Sequence, residues 1–180
     1  MKIKPKNPGT AEPMLSAIPS LTETNLLSTG RPISLKQILV PIDFSYCSLR
    51  ALDYARTLAA PFEAKVTLLH VIEPAGLQQN YLGLTSPLED TNQSLAAAGR
   101  ERLELLSKKP PRLRTETLVR IGRAYSEIPD TAKALSADLI IMGTHGYTGL
   151  NHMLLGSTAE RVVRQAPCPV LTVRHTEEVA

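Results

Sequence analysis

Short apolar runs alternate with stretches of helical spacing along most of this chain, and this alternation restricts the possible folds more than any other feature. Nearly continuous apolar runs occur at residues 38–42, 66–71 and 139–142. Such runs are typical of parallel strands that are covered on both faces. The segments between them carry apolar residues three and four positions apart, as amphipathic helices do. The chain is therefore predicted to form a parallel sheet flanked by helices.

The predicted order is β-α-β-α-β-α-β-α-β with right-handed crossovers. Strands are predicted at residues 37–43, 65–71, 115–119, 138–142 and 170–173, and helices at residues 45–60, 89–107, 124–136 and 157–165. Two buried stripes are predicted: Leu95, Ala98, Arg102, Leu105 and Leu106 in the second helix, and Ala159, Val162 and Val163 in the last. Pro129 lies inside the third helix, where it predicts a kink or a late helix start.

The chain divides into one domain and two flanking segments. Residues 1–34 contain five prolines and no clear period, so they are predicted to be a flexible N-terminal extension. Residues 35–175 form the predicted domain, and residues 176–180 a short tail. The stretch 74–87 is predicted to be a long loop, which in a compact domain is often a lid or a contact surface.

Composition argues against several classes of function. Aromatic residues make up 4% of the chain and Trp is absent, so a base-stacking surface for nucleic acid is not expected. The net charge is +3, but after residue 34 sixteen basic residues face fifteen acidic ones, which is no basic signature for DNA. Cys47 and Cys168 have no metal-binding spacing and are expected to be free thiols in a reducing cytoplasm. No apolar run approaches the length that spans a membrane.

The stretch from the fourth strand to the last helix predicts an anion pocket. Gly143 and Gly146 follow the strand, and Gly156 precedes Ser157 at the helix start. Glycines allow close backbone approach and φ > 0, and the first N–H groups of a helix attract a phosphate. Ser157 and Glu160 also have the spacing of a capping box. Ser157 therefore either caps the helix or turns its hydroxyl to a phosphate.

Asp43 ends the predicted first strand, and a ligand in an open α/β sheet binds beyond the carboxyl ends of the strands, where the strand order reverses. A carboxylate there can accept from a ribose hydroxyl or bind a phosphate-bound Mg²⁺. The alternative is that Asp43 is the N-cap of the first helix. His70, near the end of the second strand, is interpreted as a core histidine with satisfied hydrogen bonds.

These residues, over about 35–174, resemble the universal stress protein family in its ATP-binding branch. The matching stretches are Ile-Leu-Val-Pro-Ile-Asp-Phe-Ser at 38–45, Leu-Leu-His-Val at 68–71, and residues 138–173. The nucleotide signature of this family is Gly, two residues, Gly, nine residues, Gly, then Ser or Thr. Gly143, Gly146, Gly156 and Ser157 have that spacing. Tyr147 departs from the family, whose members commonly carry Arg after the second motif glycine.

The resemblance implies a single doubly wound domain with a five-stranded parallel sheet in the order 3-2-1-4-5. It places adenine near Pro41, Asp43 and Val71, with Asp43 also available to the ribose or to Mg²⁺. The phosphates of ATP would lie on the backbone of Gly143, Gly146, Gly156, Ser157 and Thr158. The last strand, formed by Val170, Leu171, Thr172 and Val173, would pair with its copy in a homodimer.

The function implied is that of an ATP-dependent stress-response or regulatory protein that acts on an unknown protein partner. No catalytic residue is assigned, because the chain lacks a Walker lysine and the motifs of hydrolases and kinases. ATP turnover is therefore expected to be weak or absent. Two alternatives stay open: a nucleotide-hydrolysing or nucleotidyl-transferring enzyme on the same fold, and a dimeric interaction module without a ligand. The preference among ATP, AMP and cyclic AMP also stays open.

Overall fold

A computed structural model describes residues 33–74, 88–108, 113–144 and 155–174. Most of the predicted extension, nearly all of the loop at 74–87, and Gly146 lie outside these residues. The strands are β1 (Gln37–Pro41), β2 (Lys65–Ile72), β3 (Thr115–Ile121), β4 (Leu139–Gly143) and β5 (Val170–Val173). The helices are α1 (Tyr46–Ala59), α2 (Leu88–Ser107), α3 (Ala124–Ala134) and α4 (Ser157–Gln165), and a short 3-10 helix, Ala60–Phe62, follows α1.

All strand pairs are parallel and the sheet has the order β3-β2-β1-β4-β5, which confirms the predicted fold. Each face of the sheet is covered by two helices. Ile38, Val40 and Ile42 pack with α1 and α2 on one face, whereas Leu39 packs with α3 and α4 on the other. Residues on both faces of β1 are thus excluded from water, which explains why its sequence is apolar at nearly every position.

The buried stripe predicted for α2 is wrong. Leu95 and Leu105 are 50% and 61% exposed, whereas Leu103 is fully buried. The buried side of the helix runs through Gly99 and Leu103, with partly buried Leu106 beside it. Apolar residues lie on several sides of α2, so the helical period alone does not select the stripe. The buried side is selected by the close packing of Gly99 against the sheet, because a Cβ at this position would lie 2.7 Å from Cδ2 of His70.

Two further details correct the predicted helices. Val163 of α4 is 46% exposed, while Ala159 and Val162 are buried as predicted. In α3 the chain enters the helix at Ala124 and continues through Pro129, which is buried, so the late start is wrong. No helix in the described part of the chain is long and apolar enough to cross a membrane.

Candidate functional site

The strand order reverses between β1 and β4, and this position defines the candidate site. β1 continues to β2 and β3 on one side, while β4 and β5 lie on the other. The connections therefore leave the carboxyl ends of β1 and β4 toward opposite faces, and a crevice opens between them. Asp43 lies two residues beyond the end of β1, and Gly143 is the last residue of β4.

The turn between β1 and α1 leaves the carboxylate of Asp43 exposed at this crevice. Its Oδ1 accepts a hydrogen bond from the backbone N–H of Ser45 at 2.9 Å. Ser45 is the N-cap of α1, and its Oγ accepts from the N–H of Ser48 at 3.2 Å. The alternative role considered for Asp43, capping of α1, thus belongs to Ser45. Asp43 orders the turn with one oxygen and remains accessible to a ligand.

Phe44, between these two residues, holds the turn in a left-handed backbone conformation with φ 64°. Such a conformation is unfavourable for a residue with a large side chain, and it persists where the surroundings stabilise it. The guanidinium of Arg102 lies 3.7 Å from the centroid of the Phe44 ring. The ring of His70 lies 4.8 Å away, centroid to centroid. These contacts fix Phe44 and therefore the position of Asp43.

His70 is itself fixed by a hydrogen bond between its Nδ1 and the carbonyl oxygen of Ile42, at 2.7 Å. Because a carbonyl only accepts, Nδ1 carries the proton of this bond. The half-buried ring also packs against Gly99 of α2. His70 thus has a satisfied Nδ1, as the sequence predicts, and it connects β2 and α2 to the turn that carries Asp43.

Pro41 and Val71 occupy the same edge of the sheet. Pro41 pairs with Leu69 of β2, so Val71 extends two residues further and reaches the level of Asp43. Both side chains are half-buried. The register therefore brings these two predicted ligand residues and Asp43 to adjacent positions at the carboxyl edge.

Gly143 is required by packing against α1. A Cβ at this position would lie 2.7 Å from Cβ of Cys47, 3.0 Å from its carbonyl carbon and 3.2 Å from the backbone nitrogen of Ser48. Among the described glycines, Gly122 is the one with positive φ, so of the two properties that glycine allows, Gly143 uses close approach and not a positive φ. The absence of a side chain brings the end of β4 against the first turn of α1.

Thr144 and Gly156 close the base of the glycine-rich segment. The N–H of Thr144 donates to the carbonyl of Val173 at 2.9 Å, and its own carbonyl accepts from the N–H of Gly156 at 2.8 Å. Thr144 is only 2% exposed. These bonds hold the end of β4 beside the start of α4. Gly146, the remaining predicted glycine of the motif, lies outside the described residues.

The N-terminus of α4 is not capped as the capping-box spacing predicts. Gly156 is the N-cap, with φ −69° and ψ 154°, and no side chain bonds to the first turn from the described residues. Ser157 is already inside the helix and is exposed, and Glu160 pairs with Arg164 at 2.9 Å. The capping alternative for Ser157 is therefore wrong. No side chain of the described residues therefore occupies the N–H groups of the first turn, which in a helix have no internal partner.

The N-termini of two other helices show the contrast. Ser45 caps α1, and the carboxylate Oε1 of Glu73 accepts from the N–H of Ala124 at the start of α3, at 2.8 Å. Among the helices that begin at the carboxyl edge with described first turns, α4 alone receives no side-chain acceptor from the described residues. An anionic ligand would satisfy these N–H groups and would interact favourably with the helix dipole.

Two arginines and a tyrosine from the start of α3 and from α4 form a cluster that the sequence did not indicate. Nη1 of Arg123 donates to Oη of Tyr125 at 2.8 Å. The guanidinium of Arg161 lies 4.5 Å from the centroid of the same ring, and that of Arg123 lies 6.0 Å from it. The bond to Tyr125 raises the pKa of Arg123, which stays cationic. No short motif marks these residues, because they come from two helices.

The edge strand β5 completes the sheet beside this site. The carbonyls of Pro169 and Val173 accept from β4 and its continuation, at 3.0 Å from the nitrogen of Ile140 and 2.9 Å from that of Thr144. Since successive peptide groups of a strand alternate in direction, the backbone polar groups of Val170 and Thr172 face the open edge. Cys168 comes just before β5 in the chain. Burial of its thiol is the larger cause, and the charge of Asp138 the smaller cause, of a raised pKa.

The fold and the position of the crevice define a doubly wound α/β protein, the class in which ligands bind at the reversal of strand order. The universal stress protein family model matches residues 34–174, and the chain belongs to this family.

Two relatives illustrate the likeness in sequence. Universal stress protein MJ0531 of Methanocaldococcus jannaschii is 37% identical over 145 residues, which are 77% of this chain and 82% of that protein. A universal stress protein of Thermus aquaticus is 34% identical over 139 residues, covering 77% of this chain and 98% of the relative.

Solved structures of universal stress proteins have the same fold as this chain. Universal stress protein UspA from Lactobacillus plantarum superposes with a TM-score of 0.70 at 26% identity, over 79% of this chain and 100% of that one. Protein MJ0577 of Methanocaldococcus jannaschii gives a TM-score of 0.70 at 28% identity, over 81% of this chain and 100% of that one.

Proposed function

We propose that this universal stress protein binds ATP in the crevice between β1 and β4 and changes its interactions with a protein partner according to the bound nucleotide. The observation that carries the proposal is the start of α4. Its first turn receives no side-chain cap from the described residues, and it is held beside the end of β4 by the bond between Gly156 and Thr144. This arrangement suits phosphate oxygens, which accept from backbone N–H groups.

The position of ATP follows from this anchor. The phosphates contact the backbone near Gly156, Ser157 and Thr158, where α4 begins. The base lies toward Pro41 and Val71, whose half-buried side chains offer apolar surface. Contacts of phosphate with Gly143 and Gly146 remain predictions, and the packing of Gly143 against α1 is an independent reason for that glycine.

Asp43 is the proposed contact for the ribose or for Mg²⁺. Its side chain is exposed, and one oxygen already accepts from Ser45. The described residues contain no group of three or more His, Cys, Asp or Glu side chains that would hold a metal on their own. Mg²⁺ commonly binds through one or two carboxylates together with the phosphates of a nucleotide and water. Asp43 fits that mode, in which metal and ATP bind together.

The regulatory consequence is a conformational one. Thr144 and Gly156, which flank the segment 145–155 in the chain, are joined by a hydrogen bond next to the proposed phosphates. If the protein surface around the bound phosphates has two arrangements, a ligand that binds one of them more tightly shifts the population toward that arrangement. We propose that ATP does so with little or no turnover, and that β5 pairs with its copy in a homodimer through the outward-facing groups of Val170 and Thr172.

Titration calorimetry of nucleotide-stripped protein tests the proposal, with ATP, AMP and cyclic AMP, each with and without Mg²⁺. Wild type is expected to bind ATP in the micromolar range and more tightly with Mg²⁺. Asp43→Asn keeps an oxygen for the N–H of Ser45 but removes the charge. It should lose the Mg²⁺ dependence and weaken Mg²⁺–ATP by about tenfold, or about 1.4 kcal/mol.

Asp53→Asn is the matched control, because Asp53 is an exposed carboxylate on α1 that pairs with Arg56 at 3.3 Å. It should bind like wild type. If Asp43→Asn also binds Mg²⁺–ATP like wild type, Asp43 is not a ligand. If wild type binds no nucleotide, the protein is an interaction module without a ligand. Release of ADP or AMP at rates above about 1 per second would instead indicate an enzyme.

A further inference from the structure

We propose that Arg123, Tyr125 and Arg161 form a binding site for the terminal phosphate of the nucleotide and so make the protein prefer ATP to AMP. This inference rests on the proposed function, because it adds contacts near α3 to the same nucleotide that is proposed to bind at the start of α4. It assigns ligand contacts to a side-chain cluster on two different helices, outside the glycine motif.

The first argument is that neither guanidinium group is engaged in an ion pair within the described part of the chain, although the charge of Glu73 adds to the raised pKa of Arg123. Among the described arginines, Arg164 pairs with Glu160 at 2.9 Å and Arg56 with Asp53 at 3.3 Å. Arg123 and Arg161 form no ion pair with a carboxylate of the described residues. Segment 145–154, which comes before α4 in the chain and is not among the described residues, contains no Asp or Glu in its sequence.

The second argument is the chemistry of the cluster. Two positive groups converge on one aromatic ring, the first through a hydrogen bond to Oη and the second over the ring face. Oη of Tyr125 accepts from Arg123, and the hydroxyl proton remains a donor. Guanidinium groups carry five N–H donors and no acceptor, and they match phosphate geometry with paired hydrogen bonds. The cluster is therefore rich in donors and positive charge, which selects an anion.

The third argument is position. Arg161 lies four residues after Ser157 on α4, hence on the same side of the helix. Helical side chains tilt toward the N-terminus, so Arg161 projects toward the turn proposed to bind phosphate. Arg123 precedes α3, which begins at the same carboxyl edge of the sheet after β3. A phosphate chain that starts at α4 is thus directed toward the cluster.

A pair of single substitutions on α4 tests the inference. Arg161→Gln removes one of the two positive charges of the cluster, while Arg164→Gln makes the same change at an exposed arginine that is already paired with Glu160. Affinities for ATP and for AMP are measured by calorimetry for both variants and for wild type. Arg161→Gln is expected to weaken ATP by about tenfold, or about 1.4 kcal/mol, and to leave AMP unchanged. Arg164→Gln should change neither.

Arg123→Gln is the second variant, because its side chain is also exposed and is not needed for the helix cap, which Glu73 provides. It should reduce the preference for ATP in the same direction. The inference is overturned if Arg161→Gln and Arg123→Gln both bind ATP like wild type. It is also overturned if they weaken ATP and AMP equally, which would indicate that the cluster only packs α3 against α4. Absence of nucleotide binding by wild type would overturn the proposed function itself.

Discussion

The substitution Ser157→Asp separates the stability of α4 from its capacity to bind phosphate, because the two should change in opposite directions. Ser157 is the first residue of α4, its side chain is exposed, and no side-chain cap from the described residues precedes it. A carboxylate at this position interacts favourably with the helix dipole and the first N–H groups. The same carboxylate repels a phosphate that approaches those groups.

The two magnitudes can be worked out from this geometry. An exposed negative charge in the first turn stabilises a helix by about 0.3–1 kcal/mol. Unit charges roughly 6 Å apart repel by about 0.7 kcal/mol at the dielectric constant of water and by about 2.8 kcal/mol at an effective value near 20. Since Ser157 is exposed, the expected loss lies between these limits. ATP binding should weaken by about tenfold, whereas the folded protein becomes slightly more stable.

The assay combines calorimetric titration with ATP and urea denaturation of the same samples. Ser157→Asn is the matched control, since Asn has nearly the shape of Asp without its charge, and it should bind ATP like wild type. The difference between the two variants should shrink at 0.5 M salt, where screening is strong. If Ser157→Asp and Ser157→Asn bind ATP equally at low salt, the phosphates are not at the start of α4.

Three further predictions concern packing, a thiol and the edge strand. Gly99→Ala should destabilise the fold by about 1–2 kcal/mol in urea denaturation despite the better helix propensity of Ala, because the new Cβ would lie 2.7 Å from Cδ2 of His70. In a His70→Ala background the same substitution should stabilise the fold. An equal loss of stability in both backgrounds would contradict the clash. Burial and the charge of Asp138 raise the pKa of Cys168, so its share of stability is complete below the pKa of the unfolded thiol and is lost as pH rises from there through the higher pKa of the folded thiol. Its alkylation by iodoacetamide, followed by mass spectrometry, should have a pH profile displaced upward from that of urea-unfolded protein, and coincident profiles would contradict this. Thr172→Pro removes an N–H that faces the open edge of β5 and should convert a dimer to a monomer in light scattering, with Thr172→Val remaining dimeric; a dimeric proline variant would place the interface elsewhere.

The strands and the order of elements follow from local features of the sequence. β5 and α4 have the predicted bounds, because Pro167 and Pro169 separate them and the apolar pattern changes period there. The parallel sheet was predictable for a similar reason, since a strand that is buried on both faces must be apolar at successive positions. The edge to which Asp43, Gly143 and Ser157 belong follows from their places after strands and before a helix.

Rotation of a helix about its own axis was not predictable where apolar residues occur on several sides. In α2 the neighbours of Gly99 decide that Leu103 is buried and Leu105 exposed. In α4 the side chain of Val163 is exposed although it is apolar. Such choices depend on which residues of another element fill the space, which only the folded arrangement determines.

The sequence by itself determined the β-α alternation, the glycines before α4 and the acidic residue after β1, because each depends on neighbours in the chain. Tertiary structure decided the roles: Ser45 rather than Asp43 caps α1, and Gly143 accommodates α1. It also gathered Arg123, Tyr125 and Arg161, which are up to 38 residues apart in the sequence, at one place. Contacts between residues so far apart arise from the packing of α3 against α4, and no local pattern encodes them.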